Sequence, residues 1–433
     1  MTTRTSLSLL LGAALASTAI ACGGSDSEPS QGSTDTTTGT GAGSTTGTTT
    51  GAGGSTGAGG STGAGGKGTG GTPSFEGYTR VDQGAGVAVP GGADIAIAPG
   101  GTLYASWVVE QGGGRDVLVA ASTDGGKSFG AAVQVDDAAT IPLVGMARHP
   151  YIAADDARVA VVFNDEPGVV RLYVSPAGAA PSFGAPIVVG SDVVTQFRDF
   201  PKPLFLPDGT IAVAYQGYPA TGARIFVSRE SAGWTSEPAS AGAPGVPCEC
   251  CPLDFVVTGA GGVMTAFRNN DANTREMWMA AGSTPAAFSS WSAISSSEGY
   301  LDACPMQGPR LGQIGASSHV AVWSGRGDQA GQVHLATSGD DGASWSPGAD
   351  IGLAGDEPTL AVAPSGRIFV TAVTGSDTSV LTWSDDGGQT FAPSEPLSSP
   401  DGDLDTPQAE GASGVAALVG VSAQQTVWLR RME

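Results

Sequence analysis

The chain has 433 residues and a formal net charge of −22, and only three of its residues are lysine. So acidic a surface argues against nucleic acid as a partner, because phosphate binding draws on clustered Lys and Arg. Beyond the N-terminus no stretch is apolar and long enough to span a bilayer. No H-E-x-x-H or P-loop pattern occurs, so neither a metal nor a cofactor is expected.

The first residues, "MTTRTSLSLLLGAALASTAIAC", carry Arg4, an apolar run from Leu7 and a small-residue exit into Cys22. This is the pattern of an export signal over 1–21. "AIAC" resembles the lipobox of bacterial lipoproteins, which implies acylation of Cys22; Ala19 departs from the leucine usual there. Ordinary cleavage after "AIA" is the alternative. Residues 22–73 are mostly Gly, Ser, Thr and Ala, with "STGAGG" at 55–60 and again at 61–66. That composition cannot bury a core and reads as a flexible tether, with a reach of roughly 40 Å for about 50 residues. The expected protein is a monomer in the bacterial cell envelope, at the outer membrane or cell surface. It meets membrane only through its lipid anchor, or else is secreted.

From 74 to 433 the chain is β-rich. Units such as "PYIAADDARVAVVFND", "KPLFLPDGTIAVAYQG" and "PTLAVAPSGRIFVTAVTG" repeat at a period of roughly 50 residues, which indicates the four-stranded blades of a β-propeller. Inner strands are expected near Ala93, Tyr151, Lys202, Leu253, Arg310, Thr359 and Gln408, giving seven blades, with six as the alternative. The last unit has room for three strands, and "EGYTRVD" (76–82) is expected to supply the fourth.

Three segments share the template S-x-D-x-G-x-x-[FW] after a strand-like run. They are Ser122, Asp124, Gly126, Phe129; Ser338, Asp340, Gly342, Trp345; and Ser384, Asp386, Gly388, Phe391. The carboxylate suits backbone N–H groups of a turn, the glycine a conformation closed to other residues, and the ring a place beneath. "VSPAGAAPSF" (174–183), "VSRESAGW" (227–234) and "AAGSTPAAF" (280–288) hold the same phase without the Asp. The chain resembles the Asp-box (BNR-repeat) propellers of the sialidase type. The resemblance implies that these boxes are structural hairpins on the face away from the ligand.

Pro150, Pro201, Pro252, Pro305, Pro358 and Pro407 recur at about the same spacing, each expected just before an inner strand. Their neighbours are therefore expected to converge on one mouth: Arg148, His149, Arg198, Asp199, Asp302, Met306, Asp356, Glu357 and Asp405. The loop "AFRNNDANTREMW" adds Arg268, Asn270 and Arg275. Arginines, amides and carboxylates around a concavity suit a glycan or protein ligand. The sialidase resemblance implies an arginine triad, a Tyr–Glu nucleophile and an acidic Asp. However, no F/Y-R-I-P segment is present; "FRDFP" matches it loosely, and Tyr300 is the tyrosine near the mouth. The expected function is a non-catalytic binding propeller. The alternatives are an exo-sialidase or other glycoside hydrolase, and a metal- or redox-active propeller.

The last alternative comes from "PCECCPLDF" (247–255) and "CPM" (304–306). Cys248, Cys250, Cys251 and Cys304 form an even set in an exported chain, where disulfides are the default. A cross-blade bond from Cys250 or Cys251 to Cys304 is expected, with Cys248 bonding the remaining partner. His319 and His334 are expected as strand residues with no partner.

Overall fold

The computed structural model describes residues 77–433, apart from 138–139, 146–147, 196, 283–286, 297, 327–328, 375–377 and 413. The signal, Cys22 and the tether lie outside the described residues. Seven antiparallel sheets follow one another along the chain. Blade 1 spans 87–134, blade 2 151–189, blade 3 198–238, blade 4 246–293, blade 5 310–354 and blade 6 356–396. Blade 7 takes three strands from 402–431, and its outer strand is Tyr78–Arg80, paired with Trp428–Arg430. The fold is thus a seven-bladed β-propeller closed by an N-terminal strand, and the six-bladed alternative falls. Val81 N–H donates to the Val427 carbonyl at 2.9 Å, so the strap holds the first strand of the described residues against the last.

The hydrophobic pattern follows from this stacking. A blade is covered by a neighbour on each face, so its middle strands are apolar at successive residues rather than alternate ones. In "RVAVVF", Val159, Val161 and Phe163 pack toward blade 1, while Ala160 and Val162 pack toward blade 3. Seven such wedges of buried side chains, one between each pair of neighbouring blades, make up the core. Inner-strand side chains peg neighbours together. Asp94 accepts the Ile152 N–H at 3.0 Å, and Asp254 that of Leu311 at 2.7 Å.

Pro150 and Pro252 stand just before their inner strands as expected, and the other four prolines are placed differently. Pro201, Pro358 and Pro407 sit within inner strands, at bulges between Asp199 and Lys202, Asp356 and Thr359, and Asp405 and Gln408. The residue before each has a left-handed backbone: Phe200 (φ 48°), Glu357 (φ 49°) and Thr406 (φ 37°). A bulge leaves one residue outside the ladder, so a proline there forfeits no hydrogen bond. Pro305 stands well ahead of the blade 5 strand Arg310–Gln313, and Pro309 takes the adjoining place. In blade 4 the bulge is enlarged. Val246–Pro247 and Asp254–Val257 both border the strand Val263–Asn270, and "CECCPL" (248–253) is the excursion between them.

Antiparallel order puts the start of each inner strand and the connection between second and third strands on one face. The connections between third and fourth strands, with their S-x-D-x-G turns, lie on the other. Asp124 shows the pattern there: Oδ1 accepts the N–H groups of Lys127 (3.0 Å) and Ser128 (2.9 Å), and Oδ2 accepts the Ser128 hydroxyl (2.6 Å). Asp340 and Asp386 repeat these bonds with Ser344 and Thr390. Hydroxyl and backbone donors hold all three carboxyls below the usual range, Asp386 at about 2. Phe129 is buried in the wedge between blades 7 and 1, and Trp345 and Phe391 pack against other wedges. The Asp-free stretch "VSRESAGW" instead forms a short 3-10 turn, Glu230–Ala232.

Candidate functional site at the axial mouth

At the mouth a cavity of about 190 Å³ opens on the propeller axis. It continues at Arg310 and Gln408 into a channel of about 420 Å³ lined by the inner strands of all seven blades. The bulges shape the cavity. Glu357 and Thr406, both with left-handed backbones, line it together with Gly91 (φ 66°) and Met306 (φ 54°). A left-handed non-glycine residue costs about 1–2 kcal/mol, so this rim carries backbone strain of the kind that gathers at functional sites.

Three residues of the wall each carry a side-chain atom that is buried with no hydrogen-bond partner among the described residues: His149 Nε2, Gln307 Oε1 and Arg310 Nη1. His149 is 3% exposed, with its ring centroid 4.0 Å from that of Tyr151. Burial, then Lys202 and Arg310, push its pKa well below 6.5, so the imidazole is neutral at pH 7. Burial raises Glu357; Arg310 opposes the rise and Asp405, also in the wall, adds to it. Deeper in the channel, enclosure by the ring of inner strands, then Asp94 and Asp254, raise Glu410, with Lys202 opposing the rise. Lys202 lies 3.4 Å from Asp254 and over the Tyr151 ring. The cavity is therefore lined by an arginine, a neutral imidazole, an amide side chain and two carboxyls.

Of the expected site residues, the structure brings His149 and Glu357 to this cavity, with Met306 and Asp405 from the same rim. The others are committed elsewhere. Arg148 is paired through both Nε and Nη2 with Asp199, which also accepts from Asn164 and from the Phe200 N–H. Arg198 turns away to the carbonyls of Gly190 and Val193, both at 2.9 Å. Arg268 is 0% exposed and donates to the carbonyls of Gln307, Arg275 and Ser324 and to Glu298. Arg275 donates to the Leu301 carbonyl and to Cys248 Sγ. Asn270 caps the turn at Asn273, Asp302 accepts from Asn273, and Asp356 accepts from Ser324 and Arg326. The arginine triad drawn from Arg198, Arg268 and Arg275 is therefore not formed. Tyr300 is 67% exposed and is not in the cavity wall. Gln307, Arg310, Thr406 and Gln408 are polar cavity residues that the sequence reading did not assign to the site. The signal was present: a charged residue opening an inner strand faces an axis rather than a core.

Cys250 and Cys304 form a disulfide, whereas Cys248 and Cys251 are buried thiols, so the second expected bond is not made. His319 has a partner after all: Nε2 lies 3.0 Å from Asp341 Oδ1. His334 stacks on Trp323.

No protein-family model matches the chain, and no curated relative does. Solved structures do. The BP39L lectin from Burkholderia pseudomallei aligns over 78% of this chain and 96% of its own, at TM-score 0.55 and 12% identity. Polysaccharide lyase Uly1 aligns over 79% and 90%, at TM-score 0.50 and 11% identity. The Hadza microbial sialidase Hz136 aligns over 78% and 64%, at TM-score 0.45 and 13% identity. At such identities the likeness is one of fold, and function has to be argued from the site.

Proposed function

We propose that this protein is an exported propeller, tethered through a lipid on Cys22, that holds a glycan at its axial mouth without turning it over. One observation carries the reading: His149, Gln307 and Arg310 line one cavity, and each has a side-chain atom that is buried with no hydrogen-bond partner among the described residues. Desolvated groups of this kind are costly unless a ligand or water satisfies them, and sugar hydroxyls donate and accept at once. A sialidase reading loses its support, since the four rim arginines are occupied by carbonyls, carboxylates and a sulfur.

A second reading is favoured by Glu357, a carboxyl raised by burial beside Asp405. That is the environment of a general acid in a glycoside hydrolase. A glycan array run with a panel of fluorogenic glycosides separates the two. The binding reading expects glycan retention with no reporter release, and Arg310→Ala weakening retention ~10–100-fold through loss of a charged hydrogen bond. Reporter release abolished by Glu357→Gln would establish the hydrolase instead. Retention of neither class, with capture of an envelope protein lost in Arg310→Ala, would move the ligand from glycan to protein.

A further inference from the structure

The excursion "CECCPL", whose Pro252 lines the cavity, holds a second constellation in its cysteines, none of which is in the cavity wall. Cys248 and Cys251 form a C-x-x-C pair with Sγ atoms 2.8 Å apart, and Cys251 N–H donates to the Cys248 carbonyl across the turn. The Cys250 sulfur, bonded to Cys304, lies 4.0 Å from Cys248 Sγ. Arg275 Nη1 lies 3.1 Å from Cys248 Sγ. Three sulfurs within 4.8 Å of one another thus include a dithiol and one half of a disulfide. Thiolate attack on a neighbouring disulfide sulfur is the elementary step of exchange.

We propose that the four cysteines are a thiol–disulfide relay, in which the buried Cys248/Cys251 dithiol exchanges with the Cys250–Cys304 bond and delivers a thiol at Cys304. Cys248 loses its proton and its sulfur attacks Cys250 Sγ. The Cys248–Cys250 bond forms, the Cys250–Cys304 bond breaks, and Cys304 leaves as a thiolate that takes up a proton. Cys251 then attacks Cys248, closing Cys248–Cys251 and releasing Cys250 as a thiol. Two thiols are consumed and two produced, so no outside oxidant is required. The direction of attack follows from the surroundings. The thiol of Cys251, the positive charge of Arg275, the Cys250 N–H and Arg268 favour the Cys248 thiolate against burial and lower its pKa, whereas burial raises Cys251. Cys304 is the least buried of the four, packed against the trio from a more open position, and is the sulfur from which an external small-molecule disulfide is reached. That disulfide would accept Cys304 as a mixed disulfide and release one thiol. Cys250 would then displace the second thiol and restore Cys250–Cys304.

The test is alkylation of the purified full-length protein with iodoacetamide, without reductant, followed by peptide mapping. The relay expects label on Cys304 and Cys250 in the wild type. It expects Cys304 label lost in Cys248→Ser, which removes the attacking sulfur, and kept in Cys251→Ser, which still permits the first step. Label confined to Cys248 and Cys251, no label at all, or equal Cys304 label in both variants would each overturn the proposal. Because the readout is a thiol map, it is independent of whether the mouth binds a glycan.

Discussion

The two faces of this propeller are built from the same turn chemistry with opposite outcomes. On the S-x-D-x-G face every box carboxylate is saturated by hydroxyl and backbone donors, and its pKa is depressed. At the mouth, polar atoms are buried without partners, a carboxyl is raised, and bulged backbones run left-handed. On the first face the carboxylates are satisfied by the chain itself. The second is left open to something else, and the strain there is tolerated because seven packed wedges hold the bulges in place.

The contrast is broken most severely by removing a group that only holds the mouth together. Arg268→Ala leaves Glu298 charged, fully buried and without its cation; breaking a buried pair costs ~3–5 kcal/mol. Chemical denaturation should show that loss, whereas Arg310→Ala should leave stability nearly unchanged while weakening retention. Next is the glycine of a box. Gly342 has φ 82°, and a Cβ there would meet Met279 Cε at 2.4 Å and Met264 Sδ at 2.7 Å. Gly342→Ala is therefore expected to cost ~1–3 kcal/mol, from strain plus overpacking, measured as a lowered denaturation midpoint.

Asp386→Ala should cost ~1 kcal/mol at pH 7, the usual net worth of a lost hydrogen-bonding group, with the exposed site screened by solvent. A carboxyl depressed from 3.8 to about 2 stabilises the fold above pH ~4, and that contribution disappears as pH falls through 2. The difference between wild type and variant should accordingly close in acid. The smallest change sharpens the comparison from the other side. Thr406→Gly relieves a β-branched residue at φ 37° and should raise the midpoint or leave it level, with a gain of at most ~1 kcal/mol. A marked loss of stability would show that the rim is not strained.

Much of the fold was legible because its determinants are local and repeated. Continuous apolar runs mark strands covered on both faces, and "EGYTRVD" was the one unassigned strand-like stretch available to complete a three-strand unit. Four of the expected inner-strand starts, Ala93, Lys202, Thr359 and Gln408, are the residues where the ladder resumes after a bulge. The bulges themselves were not legible, since a left-handed Glu before proline contradicts local preference and is imposed by the ring. The site was read only in part. Sequence order places Arg148, Arg198, Arg268 and Arg275 beside the same prolines as His149 and Glu357, and cannot say which side chains find carbonyls first.

The sequence by itself determined the repeating β-blade pattern, the closing strand, the box turns and the proximity of four cysteines, because each depends on residues within one unit or on its recurrence. Only the tertiary structure decided which cysteines bond, which arginines are used up, and that Arg310 and Gln307 face the axis. Those outcomes depend on distances between blades: side chains far apart in the chain compete for the same few acceptors when the ring closes.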